Sequence, residues 1–445
     1  MPDDVFLFQG YDADIPHGHI NFHYGVLHNN EDIRFTETMI YDPTLSTSRA
    51  PKELLSRILD GIHLMVGISY WKTYCPKNIR LTSIRLTEDE AEFWETVYTK
   101  GLGEFFFKNA IDFRGLVRFP AEATDNPRVL PVIQTEGALV QLGGGKDSLV
   151  TSELLRAAGE PYSLITVAPT PIHDRVARVI AAPFIRIKRQ IDPKLFELNK
   201  HSDVYNGHIP ISAMYAWIDL YIAAMCGKRY IIASNEESAN YGNVTYLGEE
   251  MNHQWSKSFE FEKLFQQYVR QFITPDITYF SLLRPLKEIA IIKQFTKYQK
   301  YFGLFTSCNK NFQIEHRKVG SLWCGQCPKC AFIFLLLSAF LPKKEIVRMF
   351  GKNLFEDPQL LTVYKELLGL EGTKPFECVG TPDECRYALY KAVQSGEYSQ
   401  DSIVRKLYPL LKKDRAAIPT TEKELFAKSP NHLIPDHFRK ILANL

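Results

Sequence analysis

Apolar and polar residues alternate over His19-Ile-Asn-Phe-His-Tyr-Gly-Val26 and again over Asp32-Ile-Arg-Phe-Thr-Glu-Thr-Met-Ile40, with Asn29-Asn30 between them. Period-two alternation on both sides of an Asn-Asn pair predicts a β-hairpin. The period then changes. Residues 54–70 carry their apolar positions at helical spacing, and residues 88–108 read as a second, aromatic-rich helix. The polar stretch Ala121-Glu-Ala-Thr-Asp-Asn-Pro127 closes this region, so residues 1–130 are expected to form an N-terminal α+β domain.

From residue 131 short apolar runs alternate with amphipathic stretches. Segments 137–142, 162–167, 184–187 and 230–233 predict parallel strands with helices between them. That alternation specifies an α/β fold with a doubly wound parallel sheet, whose ligands sit at the carboxyl ends of the strands. Asn206-Gly-His208-Ile-Pro210 opens a long helix, and Ser234-Asn-Glu-Glu-Ser-Ala-Asn240 follows the strand 230–233. Asn235, Glu236 and Glu237 are thereby placed to meet Mg²⁺, nucleotide or substrate, unless they are simply solvated loop groups. The longest apolar run, residues 331–341, is too short to span a bilayer and reads as a buried helix. Residues 343–445 are expected to be helical.

Two motifs bring chemistry to this frame. The first strand runs into Gly143-Gly144-Gly145-Lys146-Asp147-Ser148, which opens an amphipathic helix. Glycines let the backbone turn sharply and bring N–H groups up to anionic oxygens, and the helix N-terminus adds its positive dipole end. The spacing fits neither the Walker loop nor the dinucleotide fingerprint. A plain glycine turn is the alternative. The second motif is Cys308-x15-Cys324-Gly-Gln-Cys327-Pro-Lys-Cys330, four thiols within 23 residues. Four thiolates at that spacing match a closed, structural zinc site, with an iron–sulfur cluster as the minority reading. A disulfide framework does not suit a chain of 445 residues without a secretory signal.

Composition narrows the partners. Fifty-three Lys and Arg against 51 Asp and Glu give a net charge of +2, which argues against a nucleic-acid surface. A hydrophobic content of 45% with 23% charged residues is that of a soluble globular protein, and a cytoplasmic location without membrane attachment is expected. One loop in the helical C-terminal region stands out, Lys374-Pro-Phe-Glu377-Cys378-Val-Gly-Thr381 followed by Glu384. It reads either as a substrate-facing loop or, for Cys378, as a buried thiol. Cys75, Cys226 and Cys385 read as core fillers.

The loop 143–148 resembles the Ser-Gly-Gly-x-Asp-Ser pyrophosphate loop of the ATP pyrophosphatases, with Gly143 in place of Ser and one hydroxyl contact missing. Together with the cysteine cluster about 160 residues on and Leu283-Arg-Pro-Leu-Lys287 before it, the chain is similar to the deazaguanine synthase branch. Over most of its length it resembles the UDP-N-acetylmuramoyl-L-alanyl-L-glutamate epimerases. The matching segments are Gly67-Ile-Ser-Tyr-Trp-Lys72 with Pro76, Gly101-Leu-Gly-Glu-Phe105, Gly143 to Ser148, Ser234 to Asn240, Cys324 to Cys330 and Lys374 to Gly380.

This resemblance implies a PP-loop (adenine nucleotide alpha hydrolase-like) domain over residues 131–342. It implies ATP and Mg²⁺ as cofactors, a UDP-linked muropeptide precursor as substrate, and structural Zn²⁺. ATP would adenylate a carboxylate, and the terminal glutamate would be inverted from L to D. ATP contacts fall to Gly143, Gly144, Gly145, Lys146, Asp147, Ser148 and Lys287. Acid and base candidates are Cys378, Glu377, Glu236, Glu237 and His208, with Lys72 as a cationic clamp. A carboxylate-adenylating, amide- or nitrile-forming ligase and a non-catalytic ATP binder are the rival readings.

Overall fold

The computed structural model describes residues 4–45, 50–132, 137–312, 320–413 and 422–443. Its centre is one nine-stranded sheet. The N-terminal strands are β1 (Val5–Asp14), β2 (His19–His28), β3 (Glu31–Ile40) and β4 (Asn78–Leu81). Next come β5 (Ala138–Gln141), β6 (Tyr162–Val167), β7 (Phe184–Gln190) and β8 (Tyr230–Ala233). A separate hairpin of β9 (Val244–Tyr246) and β10 (Glu249–Met251) precedes the last strand, β11 (Thr278–Ser281). The sheet order is β11-β8-β5-β6-β7-β3-β2-β1-β4.

Five strands, from β11 to β7 in that order, are mutually parallel. This is the doubly wound part, and all four strands expected from the sequence lie in it. Strand β11 was not expected. The sheet does not stop near residue 130: β7 pairs antiparallel with β3, so the N-terminal strands extend the same sheet. The hairpin β2–β3 forms about Asn29 and Asn30, both with positive φ (49° and 66°), the backbone that a two-residue turn of the primed type requires. Strand β1 escaped the alternation pattern because its register against β2 shifts between Phe8 and Gly10, which breaks the period of two.

Helix Lys52–Trp71 packs on helix Ile211–Met225 at a close approach, since a Cβ on Gly61 would lie 2.1 Å from the Trp217 ring. One large apolar cluster joins these helices to the N-terminal strands. A second surrounds helix Pro328–Ser338, whose residues Ala331 to Leu337 are all fully buried. A helix apolar on every side belongs in a core, as the run 331–341 implied. Among the described residues no helix is long and apolar enough to cross a membrane.

The expected helix over 88–108 is two helices, Glu88–Gly101 and Gly103–Lys108. The break serves packing. A Cβ on Gly101 would meet Pro210 Cγ at 2.7 Å, and one on Gly103 would meet Met251 Sδ at 3.0 Å. Two glycines therefore let this corner press against residues 210 and 251, and the next residue, Glu104, is carried toward His208 and His253.

Candidate active site

The carboxyl ends of β5, β8 and β11, three adjacent strands, deliver the loops that build the site. Loop 142–145 leads into helix Lys146–Ala157. Gly144 has φ +75° and Ile172 Cγ2 only 3.1 Å from where a Cβ would stand, so glycine is required there. Gly143 differs: a side chain at that position would project into open space. From the helix after β6, His173 accepts the Thr170 amide on Nδ1 at 3.0 Å and hydrogen-bonds the Gly143 backbone. Burial pushes its pKa down to about 4, so the ring is neutral.

Behind the loop lies a buried ionic cluster. Lys146 is fully buried and ion-paired with Asp147 and Glu288. Burial opposes its charge, but Asp147, Glu288 and Glu236 together hold it as an ammonium. Glu236 follows β8 and Glu288 follows β11. Burial, then the Glu288 and Asp147 charges, push the Glu236 carboxyl up to about 7. Asp147, Glu236 and Glu288 crowd Lys146, and Lys257 and Lys329 (3.6 Å from Glu288) face the cluster from the Cys378 side. Arg284 fixes its geometry from beneath: fully buried and paired with Glu262 (Nε to Oε2, 2.9 Å), it donates to the carbonyls of Glu236 and Lys257, each at 2.7 Å.

A second group of charges surrounds Cys378. Lys257 Nζ donates to Cys378 Sγ at 3.2 Å, and His253 acts on the same thiol. His253 Nδ1 is in turn hydrogen-bonded to Glu104 Oε2, and Lys108 pairs with Glu104 Oε1 at 2.5 Å. His208 lies against His253 with ring centroids 4.3 Å apart and planes tilted by 41°, its Nδ1 3.7 Å from Glu104. Burial pushes the Cys378 thiol up, yet Lys257, His253 and Lys329 outweigh it and hold it well below its ordinary value. Burial likewise opposes the charge on His253, but Cys378 and Glu104 raise it to about 9. Glu104 is held at about 2 against its own burial by His253 and Lys108. The result is a thiolate–imidazolium–carboxylate chain. Burial and the neighbouring His253 lower His208 to about 3 and keep it neutral. Glu377, raised to about 7 by burial and by the Cys378 charge, is hydrogen-bonded by Asn309.

The four clustered thiols converge. Their sulfur atoms all lie within 4.8 Å of one another, with separations of 4.0 Å (Cys308–Cys327), 3.7 Å (Cys324–Cys330) and 3.5 Å (Cys327–Cys330). The Gln326 amide donates to Cys324 Sγ at 3.5 Å, as in a turn that presents sulfur to a metal. The knuckle also grips the site. Thr306 N donates to Gly144 O at 3.2 Å, two residues before Cys308. Lys329, between Cys327 and Cys330, hydrogen-bonds the Cys378 carbonyl and approaches Glu288 Oε1 to 3.6 Å.

The residues anticipated from the sequence fall into separate places. Lys146, Asp147 and Glu236 come together behind the glycine loop, with Ser148 Oγ closing onto Gly145 O at 3.1 Å. Cys378, Glu377 and His208 share the second group. Glu237 and Lys287 line a surface groove with Tyr241, Thr381 and Arg386, and Lys287 Nζ donates to Glu424 O at 3.3 Å. Lys72 is buried and donates to Asn206 Oδ1 at 3.0 Å, which places it in the wall beside His208. Cys75 and Cys385 are buried and Cys226 is partly buried, as core fillers should be. Sequence reasoning missed His253, Lys257, Glu288, Lys329 and Arg284 as site residues. Glu104 sat in a quoted segment, Gly101 to Phe105, without a role. Its glycine neighbours were the usable signal.

Residues 2–282 match the MurL N-terminal domain and residues 304–422 the MurL C-terminal domain. A UDP-N-acetyl-alpha-D-muramoyl-L-alanyl-L-glutamate epimerase of Xanthomonas oryzae pv. oryzae is 39% identical over 352 residues, covering 79% of this chain and 78% of that protein. The proteins of that name from a Micromonospora species and from Salinispora tropica are 34% and 36% identical. They cover 99% and 87% of this chain, and 98% and 84% of their own lengths. With both domains matched in order and relatives aligned over most of its length, the chain belongs to the MurL family of epimerases.

Proposed function

We propose that this protein inverts the terminal L-glutamate of UDP-MurNAc-L-Ala-L-Glu to D-glutamate in peptidoglycan precursor synthesis in the cytoplasm, after ATP converts its carboxylate to an adenylate with release of pyrophosphate. The observation that carries the reading is the joining of two charge systems. The glycine loop lies beside Lys146, Asp147, Glu236 and Glu288, and Lys257 links this cluster to the Cys378 wall.

The chemistry needs both halves. An α-proton beside a free carboxylate is hardly removable, because the enolate would carry two negative charges. An adenylate removes the first charge and spreads the second. Backbone N–H groups of the loop and the helix N-terminus would hold the phosphates. Asp147 and Glu236 are the groups that would hold Mg²⁺, whose role is to neutralise charge on the phosphates as they separate. Their fit to a cation rests on the excess of carboxylates and on the raised Glu236 pKa. Proton transfer at the α-carbon belongs to the second group, with Cys378, His253 and Glu377 as its titratable members.

Zinc at Cys308, Cys324, Cys327 and Cys330 is part of the same proposal. Four thiolates about 2.3 Å from one tetrahedral ion stand about 3.8 Å apart. The three separations of 3.5–4.0 Å support the single-ion reading over a multi-iron cluster. Such an ion fills its coordination with protein and supplies structure, by holding Thr306 on the loop and Lys329 on Cys378.

Incubation with ATP, Mg²⁺ and UDP-MurNAc-L-Ala-L-Glu in heavy water tests the reading. Deuterium at the glutamate α-carbon with release of AMP and pyrophosphate is expected. AMP formation that requires ammonia would indicate a ligase instead, and absence of any AMP with this substrate would refute adenylation.

A further inference from the structure

Cys378 is set in a chain of alternating charge assembled from distant segments. Glu104 comes from helix Gly103–Lys108, His253 and Lys257 follow the β9–β10 hairpin, and Cys378 lies in the loop before helix Pro382–Gln394. The order is nucleophile, imidazole, orienting carboxylate: His253 acts on the Cys378 charge and is hydrogen-bonded to Glu104. This is the constellation of covalent acyl transfer. Lys257 Nζ, 3.2 Å from the sulfur, adds a second cation and links the thiol to Glu236 and Asp147 at the nucleotide loop. A metal shared by Glu104, His208 and His253, whose ligand atoms also lie within 4.8 Å, does not suit an imidazole engaged by both Glu104 and Cys378.

A thiolate held between two cations is a weak proton base, since a base works best with a pKa near that of its surroundings. It remains a strong nucleophile. We propose that Cys378 attacks the carbonyl carbon of the glutamyl adenylate, so that the residue inverted is a thioester of Cys378; this rests on the adenylation reading above. The C–S bond forms as the C–O bond to AMP breaks, and the electron pair leaves on the AMP phosphate. Sulfur overlaps a carbonyl poorly, so the thioester keeps the α-proton acidic. Acylation also removes the anion beside His253, which then gives its proton to water. The neutral ring takes the α-proton, and protonated Glu377 returns one to the carbon. Water finally attacks the thioester, restoring the carboxylate and the Cys378 thiol. Overall, adenylate and water become acid and AMP.

Mass spectrometry of the intact wild-type enzyme, quenched in acid during turnover with ATP, Mg²⁺ and UDP-MurNAc-L-Ala-L-Glu, tests this directly. The expected adduct is the precursor less one water, on the peptide holding Cys378, and neutral hydroxylamine should remove it. Cys378→Ala should go on exchanging pyrophosphate into ATP in the presence of the precursor while α-deuteration falls about 10³-fold or more. Turnover without adduct at any quench time, or α-deuteration by Cys378→Ala within about tenfold of wild type, would overturn the thioester and leave adenylation standing. Wild-type enzyme that shows no precursor-dependent exchange would overturn both.

Discussion

The two buried charge systems of this molecule are built on opposite plans. Behind the glycine loop, three carboxylates crowd Lys146 with Lys257 and Lys329 only at the edge, and burial together with the Glu288 and Asp147 charges lifts the Glu236 pKa to near 7. Around Cys378 the signs alternate, Lys257 and His253 against sulfur and His253 and Lys108 against Glu104, and each group strengthens the charge of the next. A cluster with an excess of one sign waits for a ligand of the other. A cluster already neutralised can hold a reactive anion ready before substrate arrives. The first plan suits metal and nucleotide, the second a nucleophile.

Separating the plans by mutation gives the largest effects. Asp147→Asn should reduce both pyrophosphate exchange and α-deuteration, by about 10³-fold each. Cys378→Ala spares the first and removes the second. Loss of both activities in both variants would mean one indivisible site and would erase the distinction drawn here. The knuckle touches both systems, so its failure should be felt in both. Cys324→Ser is expected to lose bound zinc, measured per chain by elemental analysis, and to lower Tm by about 10 °C or more. Zinc content unchanged in that variant would remove Cys324 from the ligand set.

Glu104→Gln probes the second plan more gently. Without the carboxylate, the His253 pKa falls, its support for the Cys378 thiolate weakens, and the thiol pKa rises. Alkylation of Cys378 by iodoacetamide should therefore need a higher pH, and α-deuteration should drop about 10–100-fold with pyrophosphate exchange retained. An unmoved alkylation profile would show that Glu104 only packs. In the loop itself the contrast between neighbours is sharper than between regions. Gly144→Ala meets Ile172 and a left-handed φ and should abolish ATP use, whereas Gly143→Ser enters open space and should lower the KM for ATP about threefold through the hydroxyl it restores.

The same contrast explains what could be read from the chain. The glycine loop is contiguous, so its glycines and Asp147 stand side by side in sequence and need only one strand–turn–helix to come together. The four cysteines announce themselves by spacing. By comparison, Glu104, His253 and Lys257 are ordinary residues whose meaning is purely tertiary. They meet Cys378 because Gly101 and Gly103 admit Pro210 and Met251, a packing event that no local period records. Glu236 and Glu237 are adjacent in sequence but part company in space, one buried and one lining a surface groove. Strand β11, four residues long, also went unread. The N-terminal region read as a domain of its own because its periodicity is local. Its union with the parallel sheet rests on three residue pairs between β3 and β7.

A third buried carboxyl tests whether alternating charge is what keeps Glu104 ionised. Asp219 lies in helix Ile211–Met225, 2% exposed, with one oxygen accepting from Gln141 Nε2 at 2.6 Å and no ion-pair partner among the described residues. Burial pushes its pKa up to about 7, the reverse of Glu104 at about 2. The folded pKa lies above the unfolded value of 3.8, so between those limits the folded chain binds more protons and stability falls as pH rises. Asp219→Asn keeps an oxygen for Gln141 and cannot ionise. Its Tm should match wild type near pH 4 and exceed it by about 2–4 °C at pH 8, read by calorimetry across that range. A variant less stable than wild type at pH 8 would mean that the Asp219 charge is compensated after all, and that burial without a cation does not decide the matter.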